Sequence, residues 1–114
     1  MAYIETQAVT IASGNSLSNE VKLGEKTLVG IVMPAAWDAA VLTFQATSDD
    51  QNFSELYTGA GIEVSLVVAA GQFIAIDPAT WRGVTGIKVR SGTSALAVNQ
   101  TAGRTLTLIT RTVY

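Results

Sequence analysis

Short runs in which apolar and polar residues alternate recur from one end of this chain to the other. A cluster of Gly, Asn, Asp, Ser or Pro ends each run within about ten residues. In residues 42–47, Leu42, Phe44 and Ala46 alternate with Thr43, Gln45 and Thr47. In residues 87–90, Ile87 and Val89 alternate with Lys88 and Arg90, and near the C-terminus Leu106 and Leu108 alternate with Thr105 and Thr107. Successive side chains of a strand point to opposite faces, so each run reads as a strand with one buried and one wet face. No window sustains the helical period, and the chain reads as all-β.

Residues 3–12 give the first strand signal, with Tyr3, Val9 and Ile11 on one parity and Thr6 and Thr10 on the other. The turn cluster Ser13-Gly14-Asn15-Ser16 closes it. Its weak apolar face predicts an edge strand or an extended arm. A short element over residues 20–23 follows, then residues 26–33, apolar on both faces and ended by Pro34; that pattern predicts a central or interface strand. Ala35-Ala36-Trp37-Asp38 reads as a connection or a single helical turn. Ser48-Asp49-Asp50-Gln51-Asn52 reads as a turn joining residues 39–48 to residues 53–57 in a hairpin, and Gly59 and Gly61 make the next corner. Residues 62–66 and 72–76 read as strands around an Ala69-Ala70-Gly71 turn. Asp77 before Pro78 predicts an N-cap and one helical turn that delivers Trp81 as a core plug. Residues 91–103 read as a long loop carrying Leu96 and Val98, and residues 105–113 as a closing strand. About eight short strands at this turn density predict a single antiparallel β-sandwich, jelly-roll-like, over residues 19–114, with an N-terminal strand or arm over residues 1–18.

At 114 residues the chain can build one core. It is 48% hydrophobic and only 14% charged, against about 25% charged in ordinary domains. Its longest apolar stretch, residues 64–70, is broken by Ser65 and followed by Gly71 and Gln72, well short of the ~20 residues a membrane span needs. The excess apolarity therefore predicts partner subunits and no membrane. The N-terminus lacks the basic flank and apolar run of a signal peptide, which predicts a protein made and used without secretion. Residues 1–81 hold all nine acids with only Lys22 and Lys26, for a net −7; residues 82–114 hold Arg82, Lys88, Arg90, Arg104 and Arg111 and no acid, for +5. Either the two halves interleave in one sandwich and their charges meet, or the asymmetry serves contact between copies or an acidic partner; the first is the simpler expectation. The basic residues are not clustered with stacking aromatics and the pI is about 4.9, so no nucleic-acid role is expected.

Histidine and cysteine are both absent, which removes the usual general base, nucleophile and soft metal ligands. No enzyme activity, cofactor or metal is expected. Asp49 and Asp50 are adjacent on a turn and predict turn-forming rather than acid–base chemistry or a calcium loop. A hydrolase would need a carboxylate pair such as Glu55 and Glu63 facing one cleft. Gly59-Ala60-Gly61 and Gly83-Val84-Thr85-Gly86 open no predicted helix, so they read as corners, not phosphate cradles. Trp37, Tyr57, Phe73, Trp81 and Tyr114 could supply a sugar-stacking face, although Trp37 and Trp81 more readily plug a sandwich.

The segment Leu42-Thr43-Phe44-Gln45-Ala46-Thr47-Ser48-Asp49-Asp50-Gln51-Asn52-Phe53-Ser54-Glu55-Leu56-Tyr57 resembles the strand–turn–strand of galactose-binding-like, discoidin-type jelly rolls. Phe73-Ile74-Ala75-Ile76 and Ile87-Lys88-Val89-Arg90-Ser91-Gly92 resemble the paired strands that follow it there. Asp50 stands where such turns usually carry Gly. Together with Met33-Pro34-Ala35-Ala36-Trp37-Asp38, residues 28–113 look like small proteins from the structural-gene regions of tailed phages and prophages. The resemblance implies a virion protein made in the host cytoplasm and carried on the capsid surface: a decoration, or cement, protein that binds the major capsid protein. It further implies a homo-oligomer, a trimer by analogy with capsid three-fold sites, with Tyr3, Ile4, Val9 and Ile11 of the arm touching the partner. The alternative it leaves is a carbohydrate-binding or fibre-base adhesion module using Trp37, Tyr57 or Trp81.

Overall fold

The structure, a computed structural model, describes residues 4–112; Tyr3 and Tyr114 lie outside them. Its strands are β1 (Ile4–Ile11), β2 (Val21–Lys22), β3 (Lys26–Val32), β4 (Leu42–Thr47), β5 (Ser54–Glu55), β6 (Phe73–Ala75), β7 (Gly86–Ser91) and β8 (Arg104–Thr112). They form two four-stranded antiparallel sheets, a first with order β1-β8-β3-β6 and a second with order β2-β7-β4-β5. β1 pairs with β8, β2 with β7, β3 with β6 and β4 with β5. The chain is thus one long antiparallel ribbon, rolled so that β3 also meets β8 and β4 meets β7. That order is a jelly roll, and the sandwich expected from the alternation is the observed fold.

Alternate residues of each sheet meet in the middle. Val9, Ile11, Leu28, Ile31, Leu106 and Leu108 come from the first sheet, and Val21, Leu42, Phe44, Ile87 and Val89 from the second; all are buried. A 3₁₀ turn, Pro78–Trp81, closes one end of this core. The Asp77 side chain accepts a hydrogen bond from the Ala79 N–H at 3.0 Å, and proline supplies a first position that needs no donor. The Asp-Pro start thereby fixes where Trp81 enters. Its ring meets Phe44 edge-on, with centroids 4.8 Å apart and planes at 86°, the geometry in which a positive ring edge faces a negative ring face.

β3, read as apolar on both faces, is a central strand between β8 and β6. A register shift between Leu28 and Gly30 sets Val29 out of the ladder. Gly30 has no side chain to cover its outer side, and the Phe73 ring lies there instead, Cε1 standing 2.9 Å from where a Cβ would be.

The structure departs from expectation in two local places. Residues 62–66 form no strand; their backbone makes the single bridges Tyr57↔Glu63 and Leu42↔Leu66. Residues 72–76 do not return against them: β6 pairs with β3 in the other sheet. The Ala69-Ala70-Gly71 turn is fastened to the end of β3, with the Gly71 N–H donating to Pro34 O at 2.8 Å and the Met33 N–H to Gln72 O at 2.8 Å, so it carries the chain between sheets. Of the two expectations for residues 35–38, the connection is the one observed and the helical turn is not; Trp37 Nε1 donates to Ala40 O at 3.2 Å, closing the loop.

Gly92 ends β7 in a conformation other residues avoid, with φ +92°, and a Cβ there would stand 2.6 Å from both Leu96 O and Val98 N. Both are backbone atoms held by the Gly92↔Ala97 bridge and cannot swing aside. Gly92→Ala is therefore expected to cost about 2 kcal/mol or more in urea unfolding, from left-handed strain plus overpacking.

Candidate attachment surface

The outer faces of the two sheets differ in kind. On the second sheet, the outward pairs are Thr43 with Arg90 and Gln45 with Lys88, and Gln45 also neighbours Glu55. Arg90, expected on a wet face, is a correction: its side chain is only 8% exposed. Its Nη2 lies 2.6 Å from Glu55 Oε1 and its Nη1 3.6 Å from Glu63 Oε2; Nη1 also donates to Thr43 Oγ1 at 3.3 Å. The bridges that tie residues 57–66 to the sheet bring Glu63 over this guanidinium, and Glu63 also accepts from the Ser94 N–H.

Glu55 and Glu63 thus converge, but on one cation. The hydrogen bond from Arg90 holds the Glu55 carboxyl below the usual carboxylate range, outweighing the upward push of burial, and Gln45 adds to the lowering. A catalytic acid–base pair needs one carboxyl raised instead. Asp49 and Asp50 separate as well. Asp49 Oδ1 accepts from the Asn52 N–H (2.8 Å), the Gln51 N–H (2.9 Å) and Thr47 Oγ1 (2.8 Å), and these bonds hold its pKa far below the ordinary value. Asp50, at φ +62°, accepts from Thr85 Oγ1 at 3.0 Å.

A second buried polar cluster ties the loop before β4 to the start of β8. Arg104 Nη2 lies 3.0 Å from Asp38 Oδ1, and the Thr101 N–H donates to Asp38 Oδ2 at 2.7 Å; that backbone bond is the main reason the Asp38 pKa is lowered. Gln100, fully buried, donates to Asp38 O and Ser91 Oγ and accepts from the Asp38 N–H and Arg104 Nε. The acids of residues 1–81 and the bases of residues 82–114 therefore do meet inside one sandwich.

These depressed carboxylates fix a pH response. A group whose folded pKa is lowered contributes stability above its unfolded pKa, and that contribution is lost as pH falls through the folded value. Asp38, Asp49 and Glu55 all have this sign. No histidine is present to titrate between about pH 5 and 8. Urea midpoints are expected to be nearly flat from about pH 5.5 to 7 and to fall steadily below about pH 4.

The first sheet faces outward without such charges. Two clean rows cross all four strands: Ala8, Thr107, Val32 and Phe73, and beside it Thr6, Ile109, Gly30 and Ala75. The flanking pairs are Thr10 with Thr105 and Ile4 with Arg111. Arg111 is the sole charged residue on this face among the described residues. Phe73 is 64% and Ile4 67% exposed, and Thr6, Ala8, Thr10, Thr105 and Ala75 are also exposed. Solvent-facing sheets ordinarily alternate apolar-in with polar-out. Here the outward positions carry Thr, Ala, Val, Ile and Phe.

The residues singled out from the sequence are dispersed. Ile4 is exposed on β1 and belongs to this outer face. Val9 and Ile11 are corrected from partner contacts to core: they are 1% and 0% exposed, because β1 pairs with β8 along its whole length and turns that parity inward. Residues 4–11 are accordingly the edge strand of the sandwich and not a detached arm; Tyr3 lies outside the described residues. Trp81 is corrected from a surface contact to a buried plug, at 1% exposure. Trp37 is half-buried against the core. Tyr57 is 50% exposed beside an open cavity of about 400 Å³ lined by Thr47, Asn52, Ser54, Glu55 and Val84. Tyr57 follows β5 of the second sheet whereas Phe73 stands in the first, so the exposed rings form no common platform. The two outer rows escaped the sequence reading. Their signal is the small uncharged parity of residues 4–10 and 105–109, but only the register reveals that the rows align.

No helix among the described residues is long and apolar enough to cross a membrane. Comparison with protein-family models, with curated proteins and with solved structures found no match.

Proposed function

We propose that this chain is a non-catalytic structural protein of a phage particle, a capsid decoration or cement protein that holds the major capsid protein through the outer face of its first sheet. The uncharged double row from Ala8 to Phe73 and from Thr6 to Ala75 carries the reading. Such a face gives up little hydration when covered, whereas a sheet studded with Lys and Glu would have to desolvate charges. Many copies on one shell need only modest contacts each, since linked contacts multiply. The virion and its surface as the site of action come from the resemblance of residues 28–113 to phage structural proteins. A jelly roll serves capsid and lectin domains alike, so the fold is compatible with this reading without selecting it. The absence of His and Cys and the commitment of Glu55 and Glu63 to Arg90 support a role without chemistry.

The test is co-sedimentation of the purified protein with expanded capsids assembled without it. Saturable attachment that raises the temperature at which the shells open is expected; protein left in the supernatant at all ratios would refute the capsid partner. One observation favours a second reading. The half-exposed Tyr57 ring beside a cavity lined by both polar and apolar residues has the ingredients of a sugar subsite. A glycan array would then give hits that Tyr57→Ala abolishes, while a blank array disposes of it.

A further inference from the structure

β1 lies at the edge of the first sheet, so one rim of its backbone faces no strand. Thr10 identifies which residues turn to that rim: its N–H donates to Asn19 Oδ1 at 2.9 Å and its C=O accepts from the Asn19 N–H at 3.4 Å. Hydrogen-bonding direction alternates with period two in an antiparallel pair. Ile4, Thr6 and Ala8 therefore present their N–H and C=O groups to the same rim, and no partner takes them among the described residues. Proteins normally guard such an edge with proline, lysine, a bulge or shortness. β1 has eight residues, no proline and no lysine, and the sheet's irregularity sits in β3; its one charged residue, Glu5, is neutralised by Lys26 of the same copy at 3.0 Å.

We infer that β1 is a self-association edge, at which a second copy of this chain adds its own β1 antiparallel about a two-fold axis through Thr6. In that register Thr6 faces the second copy's Thr6 and Ile4 faces its Ala8, so every free rim group of the three residues finds its complement. A register centred on Gln7 would instead send Ile4 against Thr10, which Asn19 already occupies. Charge agrees with the Thr6 register. Glu5 falls opposite the second copy's Gln7, whose amide rests on the Lys22 carbonyl at 3.1 Å. Glu5 already pairs with Lys26 of its own copy at 3.0 Å; Lys22 is exposed and forms no ion pair among the described residues, so Glu5 of each copy gains a second cation from the other. An isologous pairing of this kind satisfies both copies at once. It joins the two outer faces, each charged only at Arg111 among the described residues, into one eight-stranded sheet, a two-fold contact where the capsid resemblance implies a three-fold one. The pairing belongs to the free protein and needs no capsid.

Sedimentation velocity tests it. The wild type is expected to run as a dimer of the 11.9 kDa chain. Thr6→Pro, which removes a rim N–H without touching the bonds to β8, is expected to weaken association at least tenfold with unchanged circular dichroism. Lys22→Glu is expected to weaken it several-fold. Should Thr6→Pro fail to fold, Thr6→Cys gives an independent reading in a chain that has no other cysteine. Cα atoms about 5.5 Å apart across a hydrogen-bonded pair lie within disulfide reach, so Thr6→Cys should cross-link on oxidation far faster than Thr105→Cys on the neighbouring strand. A wild type monomeric at about 1 mM, an oligomer that survives in folded Thr6→Pro, or equal cross-linking of the two cysteine variants overturns the inference.

Discussion

A chain lacking residues 1–18 is expected not to fold. The deletion removes Val9 and Ile11 from the core, and losses of buried aliphatic side chains typically cost about 2–5 kcal/mol each. It also strips β8 of its outer partner along eight residue pairs. Residues 14–18 then take away a second set of bonds. The Ser18 N–H donates to Val89 O at 2.8 Å and Ser18 Oγ accepts from the Val89 N–H at 2.8 Å. Ser16 O accepts from the Ser91 N–H at 2.8 Å, and Asn15 O from the Gln100 N–H at 3.0 Å. Both sheets lose an edge at once. The combined loss matches or exceeds the roughly 5–15 kcal/mol by which domains are stable. Urea titration followed by circular dichroism should show no cooperative transition; a cooperative one would mean that the N-terminal segment is separable after all. Attachment by residues 1–18 therefore cannot be tested by deletion, only by substitutions on the exposed side of β1.

Arg90→Ala is the second large effect, at about 3 kcal/mol or more of lost stability. The guanidinium is nearly buried between Glu55 and Glu63, and removing one partner of a buried ion cluster leaves charge uncompensated in low dielectric, at about 3–5 kcal/mol. Glu55 keeps a third of its side chain exposed, so solvent screening places the value toward the lower end. The penalty lies in the stranded carboxylates more than in the lost pair. Arg90→Met combined with Glu55→Gln and Glu63→Gln should thus recover most of it. A cost below about 1 kcal/mol for Arg90→Ala would mean that the cluster behaves as an exposed pair.

How far the sequence could be read follows from the range of the interactions involved. Strands such as β4, β7 and β8 were legible because alternation is a local property, and the Trp81 plug because Asp77-Pro78 is a local stop-and-start signal. The partner of β6 was not. Residues 62–66 alternate convincingly and sit next to it in the chain, yet anchoring of Gly71 and Met33 sends β6 to the opposite sheet. Arg90 looked wet because its parity is outward, and parity cannot foresee that residues 57–66 lie across that face. The candidate surface was hidden for a related reason. Thr6, Ile109, Gly30 and Ala75 lie far apart in sequence, and only the rolled ribbon brings them into one row.

The central claim is that the outer face of the first sheet, which carries no charge but Arg111 among the described residues, makes the attachment. Thr107 stands in the middle of it, between Ala8 and Val32, and points away from the core. Thr107→Glu should therefore change stability by less than about 1 kcal/mol, yet leave a carboxylate unpaired wherever that face is covered, at about 2–5 kcal/mol. The decisive measurement is the affinity of folded Thr107→Glu for undecorated capsids beside that of the wild type. A loss of at least tenfold is predicted, and undiminished binding by the folded variant would contradict the account.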